Sequence, residues 1–205
     1  MTRLLLASRN GKKLAELRAV VAGAGIAGLE IVGLGDVPEF EELPEDAPDF
    51  VGNALIKARQ GFAETGLPCL ADDSGVCVDA LGGMPGVLSA RWSGRHGDDD
   101  ANLDLVLAQL SDVPDERRGA QFVSVCALVG PPDLVPDGAV TVTGRWTGSL
   151  LRARRGGGGF GYDPIFLPAG SDRTAAELSA EEKNSVSHRA RALAQLVPAL
   201  GRLAS

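Results

Sequence analysis

Asp72 and Asp73 stand side by side between two apolar runs, Pro68 to Ala71 and Val76 to Val78, and Ser74 and Gly75 follow them directly. Paired carboxylates at the end of a buried strand are costly unless a cation, usually a metal ion, offsets them. The same residues also suit a turn joining two short strands, because Asp, Ser and Gly favour turns. The flanking sequence has to decide between these readings.

The start of the chain has the layout of strand, polar loop and helix. Arg3 to Ala7 is an apolar strand, and Ser8-Arg9-Asn10-Gly11 forms a polar loop. From Lys12 onward, Leu14, Leu17, Val20 and Val21 repeat at helical spacing. Backbone N–H groups at such a helix start can face an anion, and Ser8, Asn10 and Lys13 together suit a phosphate. A solvated loop with an Asn turn is the plainer alternative. Gly23 to Gly28 matches the dinucleotide fingerprint G-x-G-x-x-G, but it closes a helix and leads into the strand Leu29 to Val32. That motif has to follow a strand and open a helix, so the sequence indicates no dinucleotide site.

Asp36 to Asp49 is acidic, carries Pro38, Pro44 and Pro48, and reads as a loop or lid. Asp49 is placed to cap a helix from Phe50 to Thr65 with the apolar face Val51, Ala54, Leu55, Ala58 and Phe62. Asn53 and Lys57 share a face of that helix. Asp98-Asp99-Asp100 precedes a helix over Ala101 to Leu110, where acids serve capping and the helix dipole better than a metal. Ala120 to Val129, Ala139 to Thr143 and Arg145 to Leu151 read as successive strands, which suggests an antiparallel lobe set apart from the α/β portion. Arg152, Arg154 and Arg155 lead into Gly156 to Gly159, a basic loop that could close over phosphates or end a mobile, solvated hairpin. Phe160 to Pro164 forms a tight turn. Ser179 and Glu182 have capping-box spacing and start a helical turn that carries Lys183. Ser187 to Leu200 is the last helix, with Leu193, Leu196, Val197 and Leu200 as its core face and His188 and Arg189 in its first turn.

Composition narrows the function classes. A chain of 205 residues with 44% hydrophobic and 23% charged content can bury a sizeable core as one domain or two lobes. Its net charge of −7 argues against a general nucleic-acid or membrane-surface binder. Cys69, Cys77 and Cys126 lack CxxC spacing and His96 and His188 are the only histidines, so neither a disulfide scaffold nor a zinc site is expected. Leu4 to Ala7 is too short for a signal-peptide core and no stretch suits a membrane span, so a cytoplasmic protein is expected. Ser8, Asn10, Lys13, Lys57, Lys183 and Arg189 are donors for phosphate or carbonyl oxygens. Asp72 and Asp73, with one or more of Glu41, Glu42 and Glu45, offer carboxylates for magnesium. Phe160 offers a stacking surface. Together these describe a nucleoside triphosphate site.

The sequence also resembles a known family. Ser8-x-Asn10-x-x-Lys13, Asn53-Ala54-x-x-Lys57-Ala58, Ala71-Asp72-Asp73-Ser74-Gly75, Gly82-Gly83-x-Pro85-Gly86, Ser89-Ala90-Arg91, Phe160-Gly161-Tyr162-Asp163-Pro164 and Ser187-His188-Arg189 occur in the order of the inosine triphosphate pyrophosphatases. The likeness runs from Leu5 to about Leu200. It implies an α/β fold, elongated and two-lobed, with flanking helices around a mixed β-sheet and a nucleotide cleft between the lobes, so that residues 1–205 form one domain. It implies hydrolysis of ITP, dITP and XTP to the monophosphate and pyrophosphate, with Mg²⁺, in a homodimer. By position it implies that Ser8, Arg9, Asn10, Gly11, Lys12 and Lys13 bind the triphosphate, and Lys57 is a further substrate-binding residue. Ser74, Phe160, Gly161, Tyr162, Asp163, Lys183, His188 and Arg189 contact substrate. Asp73 is the proton acceptor and a metal ligand, and Asp72 supports it. Glu45 is taken as the second metal carboxylate, with Glu41 or Glu42 as substitutes. The family's Glu-Thr-Gly run is Glu45-Asp46-Ala47 here. Two other functions stay in view: a Maf-like pyrophosphatase acting on pyrimidine triphosphates, and a nucleotide-binding module without turnover.

Overall fold

The N-terminal third of the chain alternates apolar runs with amphipathic stretches, and these become strands and crossover helices. The computed structural model describes residues 1–204. Strands β1 (Thr2–Leu6), β2 (Leu29–Gly33) and β3 (Cys69–Val78) are linked by helices α1 (Gly11–Gly23) and α2 (Phe50–Thr65). β1 pairs in parallel with β2 on one side and β3 on the other, with Leu4 opposite Ile31 and Leu6 opposite Leu70. Parallel neighbours need crossover connections of one hand. The two crossovers run in opposite directions across the sheet, so α1 and α2 cover opposite faces. The core shows this: Leu17 and Val21 of α1 pack with Leu4, Leu6 and Leu70, while Phe62 of α2 packs with Leu5, Val32 and Cys69. The carboxyl ends of β1 and β3 form a topological switch point, the usual ligand position in such sheets.

The rest of the chain supplies α3 (Asp99–Gln109), β4 (Gly119–Val129), β5 (Ala139–Leu150), β6 (Phe166–Pro168), α4 (Ala180–Val186) and α5 (His188–Leu203). The six strands form one sheet in the order β2-β1-β3-β4-β5-β6. It is mixed, because β5 and β6 pair antiparallel, with Ser149 opposite Leu167. The expected α/β class with flanking helices is therefore what the chain adopts. Among the described residues no helix is long and apolar enough to cross a membrane.

Two compact units divide the chain. The first comprises Met1–Asp73, Ser124–Gly144 and Arg191–Ser205. Its main core joins α1 and the β1–β3 residues to Ala192, Leu193, Leu196, Ala199, Leu200 and Leu203 of α5. The second comprises Ser74–Val123 and Arg145–Ala190. There Leu103, Val106 and Leu110 of α3 pack with Val76, Val78 and the rings of Phe122, Trp146 and Phe166. Arg118, buried at 2% exposure, donates to the carbonyls of Leu110, Leu150 and Leu151 at 2.6 to 2.9 Å, tying the end of α3 to the end of β5. Burial lowers the pKa of its guanidinium.

Several sequence expectations change at this level. Cys69 to Val78 is one unbroken strand, so Asp72 to Gly75 is not a turn between two. Ala139 to Leu150 is likewise one strand, and β4, β5 and β6 belong to the common sheet instead of a separate antiparallel lobe. Asp49 does cap α2, accepting from Gly52 N at 2.7 Å. The inward stripe of α2 is Asn53, Ala54, Ala58 and Gly61, however, and Val51 is exposed. The rotation follows from close approach at Gly61, where an added Cβ would lie 2.4 Å from Cys69 Sγ. It turns Asn53 into the interior. Gly23 closes α1, as expected of a glycine-rich helix exit.

Candidate active site

Adjacent residues on a strand point to opposite faces, and β3 uses this to give its two carboxylates separate partners. Asp72 lies on the α1 face. Its side chain is 1% exposed and accepts from Lys13 Nζ at 2.7 Å. Lys13 is delivered by the first turn of α1, whose start is fixed by a compact set of caps. Asn10 N donates to Ser8 Oγ at 3.2 Å, and Lys12 N donates to Asn10 Oδ1 at 2.9 Å. A helix start has N–H groups directed out of the helix and a positive dipole end, and the Ser8 to Lys13 segment presents both. Ser8, Arg9, Asn10 and Gly11 also line a recess of about 390 Å³ with Leu14 and Gly33 to Asp36. No lysine lines that recess; Lys13 and Lys57 reach carboxylates instead.

Asp73 lies on the α2 face. Its Oδ2 accepts from Asn53 Nδ2 at 3.0 Å, and its Oδ1 is 3.9 Å from Lys57 Nζ. The same ammonium is 2.8 Å from Glu45 Oε2. Asp73 and Glu45 thus converge on one cation. The acidic loop that brings Glu45 is laid along α2: Leu43 N donates to Gln60 Oε1 at 2.9 Å, Gln60 Nε2 donates to the Glu41 carbonyl, and Ala47 N donates to Asn53 Oδ1 at 3.0 Å. Glu42 turns away and pairs with Arg9 at 2.6 Å on the surface. Among Glu41, Glu42 and Glu45, Glu45 is the one that shares a lysine with Asp73.

The second unit gathers a different set around Asp163, which is 2% exposed. Its Oδ2 accepts from Phe160 N at 2.8 Å and from the Lys183 ammonium. Lys183 Nζ also sits 4.5 Å from the centre of the Phe160 ring, a cation–π contact to a residue that is 61% exposed. Gly159 has φ +76°, and a Cβ there would lie 2.2 Å from Asp163 Oδ2, so the turn needs glycine at this position. Gly161 N donates to Asp99 Oδ2 at 2.9 Å. Lys183 is oriented by α4, whose capping box forms as its spacing predicts: Glu182 N donates to Ser179 Oγ and Ser179 N to Glu182 Oε2. The Arg173 guanidinium and the Ser179 N–H hold the Glu182 carboxyl down at about 2.

Tyr162 is in the core. It is 4% exposed and its hydroxyl donates to the Ser89 carbonyl at 2.8 Å. His188 lies in the first turn of α5 and stacks on Phe122 with centroids 5.0 Å apart. Arg189 beside it is buried, and Ser74 is half-buried next to Asp73. Ser187 caps α5, accepting from Ala190 N at 3.2 Å. The arginines of the basic run after β5 are paired with carboxylates of the same unit. Arg152 pairs with Asp115, Arg154 with Asp100 and Asp104, and Arg155 with Glu177. Sequence reasoning missed the bridging role of Asn53 and the Asp99 and Ser89 contacts. The available signal was a carboxamide one position before the apolar Ala54 on a capped helix.

Comparison with known proteins adds to this geometry. The sequence profile of the Ham1 family matches residues 4–199. A protein of Mycobacteroides abscessus named dITP/XTP pyrophosphatase is 63% identical over 202 residues, covering 98% of this chain and 96% of that one. A crystal structure from Mycobacterium abscessus, described as a nucleoside-triphosphatase and dITP/XTP pyrophosphatase, superposes with a TM-score of 0.81 at 64% identity, over 97% of this chain and 100% of that one. A HAM1 protein from Coxiella burnetii superposes with a TM-score of 0.85 at 40% identity, over 98% of each chain.

Proposed function

The chain belongs to the Ham1 family, and we propose from that footing how its residues divide the work of hydrolysing noncanonical purine nucleoside triphosphates. The protein is a nucleoside triphosphate pyrophosphatase, and its substrates are purine triphosphates such as dITP and XTP, with ITP grouped with them. The observation that carries the assignment of roles is Asp73, with one oxygen held by Asn53 and the other near Lys57.

In this reading Asp73 accepts the proton of the water that attacks the α-phosphate, and pyrophosphate departs. Asp72, paired with Lys13 in the free protein, supports the strand. Ser8, Arg9, Asn10, Gly11, Lys12, Lys13 and Lys57 take the triphosphate, where their donors meet charge building on the leaving group. Hard carboxylate oxygens suit magnesium, and two of them, on Asp73 and Glu45, already converge on a single cation, Lys57. The residues therefore fit Mg²⁺, with Asp73 and Glu45 as its protein ligands. When bound, the ion neutralises charge on the phosphoryl oxygens.

Ser74, Phe160, Gly161, Asp163, Lys183, His188 and Arg189 serve the nucleoside, and Tyr162 supports them from the core, with its hydroxyl held by the Ser89 carbonyl. Hypoxanthine and xanthine present an oxygen acceptor at position 6, and adenine presents an amino donor there. Donors from His188 or Arg189 would leave that amino group facing another donor, at a cost of roughly 1–3 kcal/mol for each buried group left unpaired. The active form is read as a homodimer. Its place is read as the cytoplasm, where Cys69, Cys77 and Cys126 stay as thiols.

Purified protein with Mg²⁺ is assayed against ITP, XTP, GTP, ATP and dTTP, with pyrophosphate and orthophosphate measured separately. Pyrophosphate release from ITP and XTP is expected. A preference for dTTP would instead favour the Maf-like reading, and binding without turnover the non-catalytic one. A general base contributes roughly 10²–10⁴ in rate, so Asp73→Asn should lose at least about 10² in kcat. A folded Asp73→Asn protein with near wild-type turnover would falsify the base assignment.

A further inference from the structure

Asn53 is a polar side chain on the buried stripe of a helix, and it is 1% exposed. A carboxamide in that position has to satisfy both its ends. One end faces a backbone N–H, that of Ala47, at 3.0 Å. A backbone N–H can only donate, so the atom facing it is Oδ1 and the atom facing Asp73 is the amino group. The second bond, Nδ2 to Asp73 Oδ2 at 3.0 Å, therefore has an unambiguous direction. Asn53 reads the position of the acidic loop with one end and holds Asp73 with the other. Ala47 lies two residues after Glu45, whose carboxylate shares Lys57 with Asp73.

The chemistry at this position is narrow. A second cation here would favour the ionised carboxylate further and make Asp73 a poorer proton acceptor. A carboxylate would repel it. A neutral donor fixes orientation with the smallest change in basicity. From this geometry we propose that Asn53 is a positioning residue for hydrolysis, holding the Asp73 carboxylate in its working orientation and making that orientation depend on the seating of the loop that carries Glu45. The proposal rests on the assignment of Asp73 as the base.

The test is a double-mutant cycle in kcat and KM for ITP, normalised to folded protein by circular dichroism. Asn53→Leu removes both bonds at similar volume. Asn53→Asp keeps the acceptor toward Ala47 and replaces only the donor toward Asp73, so it serves if the leucine variant does not fold. Displacement of a catalytic group by about 1 Å costs about 10²-fold, so a fall in kcat of about 10–10² is expected, with KM within about threefold. The same substitution in the Asp73→Asn background should cost almost nothing further, because the group it positions is gone. An unchanged kcat in Asn53→Asp, or an equal loss in both backgrounds, overturns the positioning role. Wild-type activity in Asp73→Asn alone overturns the base assignment instead, and the inference with it.

Discussion

Replacing Lys13 by Met tests whether the Asp72 carboxylate depends on that one ammonium. The two groups are 2.7 Å apart, and the side chains are 25% and 1% exposed. Methionine keeps the length of the stem and removes the charge, which leaves the carboxylate two options. Remaining ionised after losing the Lys13 ammonium costs roughly 3–5 kcal/mol. Taking a proton costs about 1.4 kcal/mol for each pH unit above the ordinary aspartate value near about 3.9, hence about 4 kcal/mol at pH 7 and about 1.5 kcal/mol at pH 5. The less costly option prevails, so the loss should be about 3–4 kcal/mol at pH 7 and about 1.5 kcal/mol at pH 5. The sign follows from proton counting. The folded variant binds a proton that the unfolded chain lacks in this window, so its stability falls as pH rises. Urea unfolding followed by circular dichroism at pH 5, 6 and 7 measures this directly. The double variant Lys13→Met with Asp72→Asn has no buried charge to strand and should recover most of the loss at pH 7. A loss below about 1 kcal/mol at pH 7, one that does not change with pH, or a double variant as unstable as the sum of the singles refutes the reasoning.

Tyr162 is the only tyrosine, so its ionisation can be followed by absorbance without interference. Burial, with a smaller contribution from Asp99, raises its pKa. The native protein should therefore titrate above the usual tyrosine range and return to about 10 in denaturant. Native ionisation near about 10 would mean that the hydroxyl does not sit against the Ser89 carbonyl. Gly61→Ala should lower stability by roughly 1–3 kcal/mol despite the better helix propensity of alanine, because the new Cβ would lie 2.4 Å from Cys69 Sγ. A raised melting temperature would show that α2 does not approach β3 this closely.

Local signals in the sequence located the elements well, and non-local pairings decided what the residues do. Asp49 before an amphipathic run marks the start of α2, and the cap forms there. The Ser179 and Glu182 spacing behaves likewise. The Asp72 to Gly75 stretch misleads because its residue types favour turns, whereas the extended conformation is imposed by pairing and by counter-charges from two helices. Which face of α2 turns inward depends on Gly61 meeting Cys69, a contact between distant positions. The arginines after β5 find Asp115, Asp100, Asp104 and Glu177, none of them a close sequence neighbour. Tyr162 looks like a substrate contact within its motif, yet its hydroxyl is spent on a carbonyl of another loop. Periodicity carries no information on such pairings.

Two of the lysines proposed to take the triphosphate, Lys13 and Lys57, each have a carboxylate close at hand: Asp72 and Glu45. An arriving polyphosphate therefore meets occupied cations, and its capture is an exchange of counter-ions and not the filling of a vacant positive well. Measured affinity then reports a difference between two sets of ion pairs. Added salt weakens both sides of that exchange, so Kd for the substrate should depend on ionic strength less steeply than two bare lysines would dictate. On the proposed assignment, the carboxylates would reclaim these lysines as pyrophosphate leaves, and the protein's own acids would act as the displacing ions that keep the product from lingering.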